Sequence, residues 1–321
     1  MMEENRYMLE TRKLTKYFKT KYGMLHAVDE VDIALPAGKT LGIVGESGCG
    51  KSTIGRTILK LTEPTSGSIF FDGKDITRYR PKQMKALRTE MQIIFQDPYS
   101  SIDPRKTIAQ IIAEPLHLAH QYKNSADLDS KIRKMMDTVG IAQRLYDAYP
   151  HELDGGRRQR VGIARALVLN PKLVICDEPV SALDVSIQAQ ILNLLMDLQE
   201  ERNLTYVFIT HDLSVVRHIS DQIMVMYMGR SIEKCASDEL FIKPMHPYTK
   251  ALLASIPLAK SEMRNKKLTV IRGEVSSPIE PKPCCRFAPR CPFATEECTR
   301  SEPSFREPET GHFVACHHPY L

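Results

Sequence analysis

Residues Gly45-Glu46-Ser47-Gly48-Cys49-Gly50-Lys51-Ser52-Thr53 constrain the fold of this chain more than any other stretch. They follow an apolar run, Leu41 to Val44, and open a segment whose apolar residues Ile54, Ile58, Leu59 and Leu61 fall at helical spacing. Gly-x4-Gly-Lys-Ser between a strand and a helix is the setting of a phosphate-binding loop. Glycines let successive backbone N–H groups turn toward one anion, and the positive end of the following helix dipole faces the same point. There Lys51 reaches the β- and γ-phosphates and the Ser52 hydroxyl holds Mg²⁺. The stretch predicts a nucleoside-triphosphate site on an α/β core.

A second segment carries the complementary chemistry. Leu173-Val174-Ile175-Cys176-Asp177-Glu178 reads as a buried strand ending in two carboxylates. A strand apolar on both faces sits centrally in a parallel sheet, and its acids emerge at the C-terminal edge. Asp177 is expected to support Mg²⁺ through water, and Glu178 to polarise the attacking water.

The 321 residues suggest about two domains. A formal charge of +5 is small, and no Lys/Arg block is long enough to read as a nucleic-acid arm, so nucleic acid is not an expected partner. There is no apolar run of about 18 residues, and the polar stretch Met1 to Glu10 is not a secretory signal. A soluble, cytosolic chain that reaches a membrane through a partner is expected.

Along the chain, residues 5–35 read as short strands with a turn at Tyr22-Gly23, and Val28, Val31, Ile33 and Leu35 suggest a half-buried sheet. Ser68-Ile69-Phe70-Phe71 before Asp72-Gly73 is a hairpin signal, and Met91 to Gln96 is another short strand. From about Asp103 to Gly140 the apolar spacing turns helical. Strand patterns return at Leu173–Cys176, Tyr206–Thr210 and Ile223–Tyr227. After about Lys260 periodicity fades into a proline-rich tail.

The order of phosphate loop, Gln96, Leu153-Asp154-Gly155-Gly156-Arg157, Asp177-Glu178, Ser181-Ala182-Leu183-Asp184 and His211 resembles the ATP-binding subunit of an ABC transporter, over about residues 7–260. Ile94-Phe95-Gln96-Asp97-Pro98 and Ser181-Ala182-Leu183-Asp184-Val185-Ser186 further resemble the oligopeptide/dipeptide importer branch, and within it the second of two non-identical ATPases. His246-Pro247-Tyr248-Thr249 and Cys285-Arg286-Phe287 resemble the C-terminal extension of that branch. The resemblance implies an α/β P-loop NTPase core with an antiparallel β subdomain. A helical insert at about 97–165 would receive a permease helix, and a small irregular Cys-rich extension would span 261–321 after an ATP-binding domain of 1–260. It implies ATP stacked on Phe18 or its neighbour Tyr17, and bound by the loop from Gly45 through Glu46, Ser47, Gly48, Cys49, Gly50, Lys51 and Ser52 to Thr53. Gln96 would sense Mg²⁺ and the γ-phosphate, His211 would contact the γ-phosphate, and Asp184 of the Ser181, Ala182, Leu183, Asp184 loop would cross to a partner subunit. The implied partners are a second ATPase, two integral membrane permeases and, indirectly, an extracytoplasmic solute-binding protein, with the chain on the cytoplasmic face of the membrane. Relatives of this kind serve peptides, nickel chelates and some sugars.

One departure alters the expected mechanism. The family pattern at 153–157 is Leu-Ser-Gly-Gly-Gln, whose serine donates to the γ-phosphate held by the other subunit. Asp154, when ionised, has no donor and adds a negative charge. Two unit charges about 4 Å apart repel by roughly 4 kcal/mol at an effective dielectric of about 20. An asymmetric heterodimer follows, with one site impaired where Asp154 caps it; Arg157 and Arg158 offset part of the charge. A tolerated Asp154, an ATP-gated regulatory subunit and a non-transport ATP-driven clamp are the alternatives.

Cys285, Cys291, Cys298 and Cys316 crowd the tail. A cytosolic ATP-binding protein keeps thiols reduced, so the cluster favours metal over disulfides. Four thiolates suit tetrahedral Zn²⁺ or a cubane iron–sulfur cluster. The spacing lacks the paired Cys-x2-Cys knuckles of structural zinc, and the resemblance implies [4Fe–4S]. Cys284 is an extra neighbour, and His312, His317 and His318 are possible substitutes.

Overall fold

The structure is a computed structural model and describes residues 7–256 and 278–320. The expected domain boundary at 260/261 and the first six residues lie outside the described residues. Strands β1 (Tyr7–Thr20) and β2 (Gly23–Pro36) precede β3 (Thr40–Val44) and helix α1 (Lys51–Ile58). Next come β4 (Ser66–Phe71), β5 (Lys74–Asp75), α2 (Pro81–Leu87) and β6 (Met91–Ile94). Helices α3 (Pro98–Ser101), α4 (Ile108–Ala119), α5 (Ser125–Thr138) and α6 (Gly155–Leu167) follow. Then β7 (Leu173–Asp177), α7 (Val185–Arg202), β8 (Thr205–Ile209), α8 (Leu213–Ile219) and β9 (Gln222–Tyr227) alternate. The chain closes with β10 (Arg230–Ala236), α9 (Ser237–Ile242), α10 (Pro247–Ala254), α11 (Glu296–Arg300), β11 (Arg306–Glu309) and β12 (His312–Val314).

These elements form two compact units. The first comprises Leu35–Lys39, Phe71–Ile209 and the start of β1. Its strands β6, β7 and β8 are parallel, with Met91 beside Leu173 and Leu173 beside Thr205. Every residue of β7 and β8 is buried, as the unbroken apolar runs require of central parallel strands. The helical pattern resolves into α4, opened by a Thr107/Gln110 capping box, and α5, capped by Asn124 and followed by Gly140 at φ 70°. Ile108, Ile111, Ile112 and Leu116 of α4 and Ile132, Met135 and Met136 of α5 are the buried faces.

The second unit comprises Glu10–Ala34, Thr40–Phe70 and the chain from Thr210 onward. The strands expected to be short over 5–35 are instead 14 residues each and pair as a hairpin. Glu30, at φ 49°, slips the alternation by one residue, which explains why the buried set steps from Val28 to Val31 before Ile33 and Leu35. Helix α1 ends at Ile58, so Leu61, expected on it, is exposed. Strand β3 runs parallel to β9, and β9 pairs antiparallel with β10. The tail is irregular at first and then adds α11 and two strands. β12 pairs with β10 (Glu233 opposite Val314), and β11 pairs with β12. Phe287 of the tail lies in the same core as Val44, Val225, Tyr227 and Tyr248. Among the described residues, no helix is long and apolar enough to cross a membrane.

Candidate active site and four-cysteine set

In the second unit, β3 delivers the chain into the predicted phosphate loop. Gly45, Gly48 and Gly50 take φ values of 152°, 78° and 108°, conformations that L side chains rarely adopt. At Gly50 a Cβ would also meet the Ala27 carbonyl oxygen at 2.0 Å. Helix α1 begins at Lys51 with no side-chain cap, so its first N–H groups remain turned to the loop. Lys51 is buried, and its Nζ donates to the carbonyls of Gly45 (2.8 Å) and Glu46 (2.9 Å), with the Cys49 sulfur at 3.9 Å. Burial pushes the Cys49 thiol up, keeping it neutral beside that ammonium. Ser52 and Thr53 occupy the first turn of α1.

The two aromatic candidates differ in surroundings. Tyr17 stacks on His26 (centroids 3.7 Å apart), and its hydroxyl donates to Asp29 at 2.6 Å. Phe18 is exposed, with Lys16 Nζ 4.8 Å from its ring centroid. Burial alone would raise the Asp29 carboxyl. Hydrogen bonds from Tyr17 and His26, with the charges of Arg230 and Arg286, hold it down at about 2. His211 is exposed just before α8, which Asp212 caps through the Ser214 N–H at 2.8 Å.

In the first unit, Asp177 ends β7 and is buried. Glu178 follows in the left-handed region at φ 47°, an unusual conformation for a residue with a side chain. Its N–H donates to the Ile209 carbonyl at 2.9 Å, which ties the turn to β8. Gln96 Nε2 donates to Glu178 Oε2 at 2.9 Å, bringing together two predicted residues 82 positions apart. Asp184 caps α7 through the Ile187 N–H at 3.0 Å, and Ser181 Oγ donates to the Glu178 carbonyl at 3.2 Å.

Asp154 is the N-cap of α6: its Oδ1 accepts the Arg157 N–H at 2.7 Å, and Oδ2 lies 3.4 Å from Arg157 Nε. Gly156 is required by packing, because a Cβ there would meet Ile187 Cγ2 at 2.5 Å. The segment after Gln96 is bound to the same helix, with the Arg158 guanidinium 3.9 Å from the Tyr99 ring centroid and its Nε donating to the Pro150 carbonyl at 2.6 Å.

Back in the second unit, Cys285, Cys291, Cys298 and Cys316 line one cavity with His317 and His318. All four are free thiols. Burial pushes Cys285 and Cys316 up to about 11, while backbone N–H groups of Phe287 and Ala288 on Cys285, of Phe293 on Cys291 and of His318 on Cys316 favour the thiolates. Cys284 does not line the cavity. His312 belongs elsewhere. It is buried between Glu233 (2.8 Å from Nε2) and Glu239 (3.0 Å from Nδ1). Cys235 lies near enough to complete a ligand-like trio, but both His312 nitrogens already face carboxylates, so the group is accounted for as an ion bridge holding β12 to β10.

Two residues that sequence reasoning did not connect to the loop hold Glu46. Arg290 pairs with its carboxylate at 2.8 and 2.9 Å, and the Tyr248 hydroxyl accepts its N–H at 3.0 Å. Tyr248 stood in a family phrase, but nothing in the sequence indicated its target.

A phosphate loop, a strand end with buried Asp177 followed by Glu178, and a Gln96–Glu178 contact define the equipment of an ATP-hydrolysing cassette. The family described as ABC transporter matches residues 28–181, and that described as the oligopeptide/dipeptide transporter C-terminal region matches 232–298. Oligopeptide transport ATP-binding protein AppF of Bacillus subtilis is 49% identical over 97% of this chain and 97% of its own. Oligopeptide transport ATP-binding protein OppF of Salmonella typhimurium is 46% identical over 98% and 97%, and dipeptide transport ATP-binding protein DppF of Haemophilus influenzae 45% over 99% and 98%. A solved dimeric cassette, MJ0796 in a post-hydrolysis state with ADP and Pi, aligns with a TM-score of 0.67 and 28% identity, covering 72% of this chain and 99% of that one. The chain belongs to the ABC transporter ATP-binding subunits, in the oligopeptide/dipeptide branch. Membership carries ATP hydrolysis coupled to transport.

Proposed function

We propose that the chain powers import of peptides or related small solutes, as the second of two non-identical ATPases on the cytoplasmic face of the membrane. Two integral membrane permeases hold the pair there, and an extracytoplasmic binding protein delivers the solute. The observation that carries this reading is that the likeness continues past the cassette into the cysteine-bearing tail, where an oligopeptide/dipeptide family matches.

Within the cycle, Lys51 and the loop N–H groups bind the phosphates and Phe18 stacks on adenine, Tyr17 being occupied by His26 and Asp29. The oxygen donors Ser52, Asp177 and Gln96 suit Mg²⁺, which neutralises charge on the phosphates when bound. Glu178 takes the proton of the attacking water, Gln96 orients that carboxylate and relays its state to the helical insert at 97–165, and His211 contacts the γ-phosphate. The Ser181–Asp184 loop and the segment from Leu153, Asp154 and Gly155 to Gly156 and Arg157 face the partner ATPase. Asp154 offers acceptors only and has no donor for a phosphate, which supports a pair with one impaired site. ATP hydrolysis by the membrane complex carrying Glu178→Gln in this chain is expected to fall to a residual level, whereas the equivalent change in the partner costs little. Equal losses would remove the asymmetry.

The four-cysteine set fits a [4Fe–4S] cluster held by Cys285, Cys291, Cys298 and Cys316. Their sulfurs share one cavity, and backbone N–H groups reach three of them, which favours the thiolate form that either metal needs. Zn²⁺ is the alternative. A zinc tetrahedron with Zn–S of about 2.3 Å places its sulfurs about 3.8 Å apart. Among the described residues, the only group of three or more ligand atoms within 4.8 Å of one another is Cys235, Glu239 and His312. Anaerobic purification followed by iron analysis and visible absorbance decides between them.

A further inference from the structure

The stretch from Cys285 to Cys291 carries two arginines, and both reach into the nucleotide half of the second unit. Arg290 sends both terminal nitrogens to the two Glu46 oxygens, at 2.8 and 2.9 Å. Glu46 is the second residue of the phosphate loop, and its N–H is fixed on the Tyr248 hydroxyl. The Arg290 side chain is 6% exposed and that of Glu46 23%, so this is a part-buried, bidentate pair, the geometry that gives a guanidinium–carboxylate contact its strength and direction. Arg286 donates to the Met228 carbonyl and to Asp29, the carboxylate that also receives the Tyr17 hydroxyl beside Phe18. Between the two arginines, Phe287 packs edge-on against Tyr227 and Tyr248, with centroids at 5.3 and 5.4 Å. One short segment, bounded by two members of the four-cysteine set, is thus pinned to the core by an aromatic ring and holds both ends of the ATP-binding surface.

From this geometry we infer that Arg290 is a positioning residue for the phosphate loop, seconded at the aromatic end by Arg286, and that it couples the cysteine-bearing tail to ATP affinity. Without Arg290, Glu46 becomes an unpaired carboxylate beside the site where phosphate charge must bind, and the carbonyls that Lys51 now engages lose their fixed position. Coupling is reciprocal, so bound ATP must in turn hold the tail. The inference rests on ATP occupying this loop.

The test is titration of the full-length chain with a fluorescent ATP analogue. Arg290→Met and Glu46→Gln are each expected to weaken binding about tenfold, within the usual range of site-to-site coupling. The double variant should be no weaker than either single one, because both remove the same pair. ATP should slow amide hydrogen exchange in the peptide spanning Arg286 to Arg290, followed by mass spectrometry, several-fold in the wild type and not at all in Arg290→Met. A purely structural role for Arg290 would not produce that difference. Should Arg290→Met fail to fold, Arg290→Lys, which keeps the charge and loses the fork, is expected to lose about threefold. Wild-type affinity in Arg290→Met or Arg290→Lys, additive losses in the double variant, or no ATP protection of the Arg286–Arg290 peptide in the wild type would overturn the inference. Equal binding by the wild type and Lys51→Ala would instead remove the nucleotide-site reading beneath it.

Discussion

Asp154 does two things that substitution can separate. Its side chain caps α6 through a 2.7 Å bond from the Arg157 N–H, and in the proposed cycle its charge stands in the segment that faces a partner's nucleotide. Asn and Ser keep the cap, whereas Ala removes it at a cost of about 1 kcal/mol. The Arg157 contact adds little, since the two side chains are 51% and 59% exposed. For the charge, about 4 kcal/mol of repulsion at 4 Å, halved by nearby cations, leaves about 2 kcal/mol. That corresponds to roughly thirtyfold in rate. The assay is ATP hydrolysis by the membrane complex in a Glu178→Gln background, where the remaining turnover comes from the site that Asp154 completes. Asp154→Asn is expected to raise that turnover by ten- to thirtyfold. Asp154→Ser should exceed it, because the hydroxyl restores a donor worth about 1.5–3 kcal/mol toward a charged group. Denaturant unfolding should place Asn and Ser within about 0.5 kcal/mol of the wild type and Ala about 1 kcal/mol below. If neither Asn nor Ser accelerates the reaction, Asp154 is only a cap and the two sites are equivalent.

Further outcomes are expected elsewhere. Phe18→Ala should weaken ATP-analogue binding by about 1–3 kcal/mol, the usual worth of an aromatic on a base, whereas Tyr17→Phe should cost stability through the lost Asp29 bond and leave affinity near the wild type. His312 is lowered by burial but raised overall by Glu233 and Glu239, so it holds its proton more tightly folded than unfolded. The stability it contributes is complete below pH ~6.5, its unfolded pKa, and disappears as pH rises through the higher folded value. Unfolding followed against pH should show that alkaline loss in the wild type and not in His312→Gln. Cys298→Ser, which removes the buried member of the cysteine set, is expected to abolish bound metal in anaerobically purified protein.

The chemistry of the site was legible because its motifs need fixed residue types at fixed spacing, and the buried strands β7 and β8 were legible because full burial demands unbroken apolar runs. Resemblance placed Gln96 and Glu178 in motif order, but no spacing in the sequence encodes their contact. What stayed hidden shares a cause. Strand β12 has three residues, and in it a histidine made buriable by two distant glutamates stands where an apolar residue would have signalled a strand. Arg290, in a proline-rich tail, reads as an ordinary surface charge, and only tertiary structure supplies Glu46. The slip at Glu30 broke a clean alternation, because a single left-handed residue carries no composition signal.

The unit that holds the phosphate loop is assembled from the two ends of the chain. His26 and Met24 donate to Pro278 and Glu280, and β12 completes a sheet edge begun some eighty residues earlier at β10. The phosphate loop is therefore synthesised well before Arg290, Phe287 and β12. Closing such long-range contacts is slow and waits for both partners to exist. A chain cut before Cys285 would therefore carry every ATP motif yet lack Arg290, Phe287 and β12, whose contacts close this unit.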